Sequence, residues 1–160
     1  MDVRPSRLRA GEWIAALGTL LLIVSTFALT WFEPQHATGS AAASLNGWDG
    51  LTHVRWLVLL TIIVALALVW LQVSRRAPAL PVTFSLFVML LGGVTVLALL
   101  FRVIVDPPGG MSVSAGGYVG LVAAVAITYG GYKSIRTEGI AEYDAPAQIE
   151  TVALGSWDRS

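Results

Sequence analysis

Long, almost uncharged apolar runs separated by short polar segments dominate the chain. Four runs approach or exceed the roughly 20 residues that a helix needs to cross a hydrocarbon core about 30 Å thick. They extend from about Trp13 to Phe32, Val54 to Val73, Val82 to Val105 and Ser114 to Tyr132. Within lipid a backbone amide has no water to bond, so uncharged stretches of this length read as helices. The pattern predicts an all-α, integral membrane four-helix bundle over residues 1–136 and a separate acidic segment over 137–160.

The polar breaks give the orientation. Arg4, Arg7 and Arg9 precede the first run, Arg75 and Arg76 fill the second break, and Lys133 and Arg136 follow the fourth run. Four crossings place all of these on one side, leaving Arg55 and Arg102 at helix ends on the other. The positive-inside rule then predicts both termini in the cytoplasm. Aromatic belts agree: Trp13, Trp70, Tyr129 and Tyr132 would mark the inner interface, and Trp31, Phe32, Trp56, Phe101 and Tyr118 the outer one. The basic start, apolar run and Ala41-Ala42-Ala43 imitate a cleaved export signal, but the apolar core is too long and the alanines lie well past its end.

Composition strengthens the membrane reading and removes several functions. The sequence is 56% hydrophobic and 12% charged, about half the charged share of soluble domains. Formal net charge is zero, so no basic stripe exists to displace counterions from a nucleic acid. Without cysteine there is no disulfide, thiolate catalysis, zinc–thiolate centre or iron–sulfur cluster. No run carries a carboxylate, lysine or histidine near its centre, which argues against a proton relay or ion path. Glu12 stands at the inner end of the first run, within reach of Lys133, where an ion pair is expected rather than the mid-bilayer carboxylate of a proton-coupled antiporter. His36 and His53 both fall in the first outer loop; no metal site, haem or other cofactor is expected from them, and no catalytic constellation is present.

The breaks between runs carry the remaining chemistry. The outer loop from about Glu33 to His53 has a small, flexible middle and then Leu45-Asn46-Gly47-Trp48-Asp49-Gly50-Leu51, a turn-forming stretch expected to fold back onto the helix ends. Pro78 and Pro81 in the inner break stop one helix and start the next. The second outer loop runs Asp106-Pro107-Pro108-Gly109-Gly110, with Arg102 one helical turn before Asp106. Arg55, Arg102, Asp106, Asp49 and Trp48 therefore form the candidate binding group, read either as ion pairs clasping the loops to the helices or as a pocket for an anionic ligand. In the fourth run Gly116, Gly120 and Ala124 recur every four residues, and Gly92 and Gly93 lie mid-way along the third. Small residues at such spacing let helix backbones approach closely, within the bundle or in a homo-oligomer.

Several of these segments together resemble a group of four-span membrane proteins of actinobacteria with no assigned activity. The likeness is carried by Asn46-Gly47-Trp48 with Leu51, by Arg55-Trp56-Leu57, by Arg102 with Asp106-Pro107-Pro108-Gly109, by Gly117-Tyr118-Val119-Gly120-Leu121, and by the stretch from Gly130-Gly131-Tyr132-Lys133 to Gly139. It runs from the first span to about Gly139 and leaves the tail uncovered. The resemblance implies a bacterial inner-membrane location and transfers no catalytic residue. The expected function is non-enzymatic: a structural, accessory or assembly component with lipid and a membrane protein, or a second copy, as partners. The alternative is a small transporter or a binder of lipid or small molecules using the outer arginines.

Overall fold

The computed structural model describes residues 10–35, 43–74 and 81–141. Its four long helices are α1 (Ala10–Ala28), α3 (Val54–Ser74), α4 (Pro81–Leu100) and α5 (Ala115–Ala141), with a single-turn α2 (Gly47–Gly50) before α3. Arg4, Arg7, Arg9, Arg75, Arg76, Pro78, His36 and most of the acidic segment lie outside the described residues. α1, α3 and α4 with its last turn are long and apolar enough to cross a membrane. α5 is longer, at 27 residues, but glycines and a polar end dilute its apolar character. It continues one turn into the acidic segment, as far as Ala141.

The apolar surface is inverted relative to a water-soluble protein. Leu17, Leu20, Leu60, Ile63, Phe87, Leu97 and Val122 all point outward from the long helices. Thr19, Ser25, Thr61, Ser85 and Thr95 are buried between them. Their hydroxyls bond back to their own helices or across to a neighbour. Thr61 and Thr95 meet at 2.6 Å between α3 and α4, and each also lies 2.9 Å from the carbonyl four residues earlier. Such inter-helix bonds substitute for the hydrophobic drive that lipid does not supply.

α5 is the centre of the bundle, with its most extensive packing against α1 and then α4, while α3 packs on α4 and α1. The α1–α5 seam is a backbone-to-backbone contact. A Cβ added to Gly130 would lie 2.6 Å from the Ala15 nitrogen, and one added to Gly11 would lie 2.7 Å from the Ser134 nitrogen. Glu12 is buried beside this crossing in the first turn of α1.

The chain is not all-helical, which corrects the all-α expectation. β1 (Thr30–Pro34), β2 (Leu45–Asn46) and β3 (Met111–Val113) form an antiparallel sheet in the order β2-β1-β3. It crosses the end of the bundle opposite the start of α1 and the end of α5. The first helix accordingly stops at Ala28, short of the Phe32 limit set by hydropathy. Trp31 and Phe32 have no exposed surface, so they are not members of an interfacial belt. Both are buried although they are neighbours on one strand. The β1–β2 register slips between Thr30 and Phe32, and the resulting bulge accompanies burial of both side chains.

Candidate functional site at the sheet end

Trp31 is the keystone of this end. Its indole Nε1 donates to the Ser25 carbonyl at 2.7 Å, its own carbonyl accepts from the Ser114 amide at 2.8 Å, and Ser25 Oγ donates to the Gly116 carbonyl at 2.7 Å. The ring lies against Gly120, where any Cβ would collide with it, and Gly116 abuts Thr30 and the same ring. Gly116 and Gly120 are thus mainly a seat for an indole and a strand, Gly120 also meeting Ser25 of α1, and Ala124 is fully buried. Burying two large aromatics completely contributes about 1.5–3 kcal/mol each.

The short helix α2 closes over the sheet. Asn46 caps it by accepting the Asp49 amide at 2.9 Å. Gly47 and Gly50 lie three residues apart and share its lower face, so Gly47 rests on the Trp31 ring and Gly50 on Phe32. Trp48 emerges on another face. It stacks on Phe27 at 5.5 Å and meets Trp56 edge-on at 5.8 Å. The Arg55 guanidinium lies 5.4 Å from the Trp48 ring and 5.5 Å from the Trp56 ring, a double cation–π arrangement. Its Nε is buried and has no hydrogen-bond partner.

Arg102 is placed differently. α4 ends in a π-helical turn, Phe101–Val105, closed by the Asp106 amide donating to the Phe101 carbonyl at 2.9 Å. From that turn Arg102 Nη1 reaches the Asp106 carbonyl at 2.7 Å and its carboxylate at 3.1 Å, while Nη2 reaches the Gly50 carbonyl at 3.4 Å. A cation at a helix C-terminus also meets the negative end of the helix dipole. On the far side of the sheet Glu33 accepts from Ser114 Oγ at 2.8 Å, and Ser112 Oγ donates to the Glu33 carbonyl at 3.2 Å.

The structure therefore divides the five candidate residues. Arg102 and Asp106 form a clasp that ties the end of α4 to α2, whereas Trp48 and Arg55 belong to an aromatic–cation patch with Phe27 and Trp56. Asp49 is exposed and acts through its amide at the cap. Sequence reasoning did not single out Phe27 for this patch or Ser25 beneath it, placed Trp31 in an outer aromatic belt, and grouped Glu33 with Asp49 and Asp106 among the outer charges. The one signal available was the contrast between the turn-forming end of the outer loop at 45–51, with its single tryptophan, and the small, featureless middle. Of the glycine pair on α4, Gly92 packs on Thr128, and a side-chain carbon placed on Gly93 would meet nothing within 4 Å among the described residues. No protein-family model, curated protein or solved structure matches the chain.

Proposed function

We propose that this chain is a non-enzymatic integral membrane protein that crosses the bilayer four times with both termini in the cytoplasm. In this reading it is a structural or accessory component presenting a preformed platform to a membrane partner on the outer side. The observation that carries the reading is the Phe27–Trp48–Arg55–Trp56 patch. It sits on a sheet whose other polar and aromatic groups are held from beneath, and Trp56 and Phe27 are about half exposed. Trp and Arg are the residues that most often dominate binding energy at protein interfaces, and a rigid base spares the ordering cost of binding. Affinity purification from native membranes tests this. Wild type is expected to retain a stoichiometric partner that Trp48→Ala and Arg55→Met each lose at unchanged expression, and equal retention by all three proteins removes the platform.

A second reading is favoured by the buried, unpartnered Arg55 Nε: an anionic headgroup or small anion completes the hydrogen bonding of that guanidinium. Its test is binding of inorganic phosphate to the full chain in detergent, which Arg55→Met should abolish and Arg136→Gln should leave unchanged. In the transporter form of the alternative Arg102 would have to leave Asp106 and Gly50, which engage its guanidinium, to meet a solute.

A further inference from the structure

A groove of about 560 Å³ runs along the outside of the bundle between α4 and α5. That is the size of a small-molecule pocket. It is bounded by Met89, Gly93 and Leu97 on α4 and by Val125, Tyr129 and Tyr132 on α5, and no polar atom faces it. The Thr128 hydroxyl, which also borders it, is turned back onto the Ala124 carbonyl at 2.9 Å. Gly93 is what makes the groove deep. Glycine in a helix interior costs roughly 1 kcal/mol relative to alanine, and here no neighbour among the described residues requires it.

The two ends of the groove differ. Gly93 lies near the middle of α4, while Tyr129 and Tyr132 lie toward the end of the bundle where α1 begins and α5 ends. At that mouth Arg136, one turn beyond Tyr132, holds its guanidinium 5.8 Å from the Tyr132 ring centre and 3.5 Å from the Tyr132 hydroxyl. Arg136 is exposed. An apolar slot thus opens onto an aromatic rim and then a cation. From Met89 to Leu97 its wall is about 12 Å long at the α-helical rise.

We propose that this groove binds one anionic phospholipid, with an acyl chain along Gly93 and the headgroup at Arg136 and Tyr132. The charge at the mouth selects an anionic headgroup, and the uninterrupted apolar wall selects the chain. A second copy of the protein fits the groove less well. Most of its lining is bulky, so a partner helix could not approach backbone to backbone as α1 does on α5. The proposal rests on the bilayer placement of the bundle and is independent of the platform at the sheet end. Retention in membranes after alkaline carbonate washing checks that placement separately.

The test is native mass spectrometry of the full chain titrated with phosphatidylglycerol or phosphatidylcholine. Wild type is expected to hold one phosphatidylglycerol, preferred about fivefold, the equivalent of about 1 kcal/mol for one basic residue at a membrane surface. Gly93→Leu should lose both lipids while unfolding at the same temperature, since the new side chain enters open space. Arg136→Gln should keep lipid binding but bring the two lipids to near-equal affinity. Undiminished binding in Gly93→Leu, or a preference that survives Arg136→Gln, overturns the proposal. So does lipid-independent disulfide dimerisation of Gly93→Cys, which would carry the only cysteine in the chain and would identify a second copy as the occupant.

Discussion

The two arginines at the sheet end sit on neighbouring helices, Arg102 with a carboxylate one turn on at Asp106 and Arg55 next to Trp56. Arg102 has its guanidinium committed to Asp106 and Gly50 and closes the cap over the bundle. Arg55 is framed by two indoles and leaves a buried nitrogen unbonded. One half of the end is saturated and the other is presented. Charge and position along the chain do not distinguish a clasp from a contact surface; the hydrogen bonds remaining to each group do.

The largest effect comes from removing what holds both halves from beneath. Trp31→Ala should destabilise by about 3–5 kcal/mol, the usual loss for a buried large aromatic, with the Ser25 and Ser114 bonds weakened in consequence. Unfolding in mixed micelles by rising dodecyl sulfate measures it. A loss under about 1 kcal/mol, far below that range, would mean that the sheet is not anchored through this ring.

Next in size is the paired comparison Arg102→Met against Arg55→Met. The first strips the Asp106 and Gly50 carbonyls and one partly exposed ion pair of their donor and should cost about 1–2 kcal/mol. The second gives up cation–π contacts of roughly 0.5–1 kcal/mol but also removes a buried unsatisfied donor, so its net effect should stay within about 0.5 kcal/mol. The same unfolding titration reads both, and equal losses would erase the distinction between clasp and patch.

The smallest expected effect lies at the hinge between the halves. Thr52, between α2 and α3, has φ of +35°, in the left-handed region that disfavours a β-branched residue. Thr52→Gly should relieve that strain and, after the entropy glycine returns to the unfolded chain, stabilise by a few tenths of a kcal/mol up to about 1. Destabilisation in the same assay would show that the Thr52 side chain contributes a contact worth more than the strain.

The helical part of the fold was legible because membrane-length apolar runs are long, and the limits of α3 and α4 follow them closely. The sheet was not. Its strands are five, two and three residues long, too short for an alternating pattern to register, and its buried members Trp31 and Phe32 look like a continuation of the first apolar run. The fold-back of Asn46 to Leu51 was readable from turn chemistry, and α2 with its Asn46 cap is the result. The purpose of Gly116 and Gly120 was not readable, because an indole and a helix backbone impose the same requirement for a missing side chain. Nor was the separation of Arg55 from Arg102, which depends on a π-helical turn that no local signal announces.

The central claim is that the Trp48–Arg55 half of the sheet end faces a partner while the Arg102 half is bonded within the chain. Site-specific photo-crosslinking in native membranes tests it most directly, with a photoreactive side chain introduced at position 48 in one protein and at position 102 in another. Position 48 is expected to give a discrete adduct of defined mass that disappears when Arg55→Met is added, and position 102 only cross-links within the chain. Equal intermolecular adducts from both positions, or none from position 48 at full expression, would contradict the account.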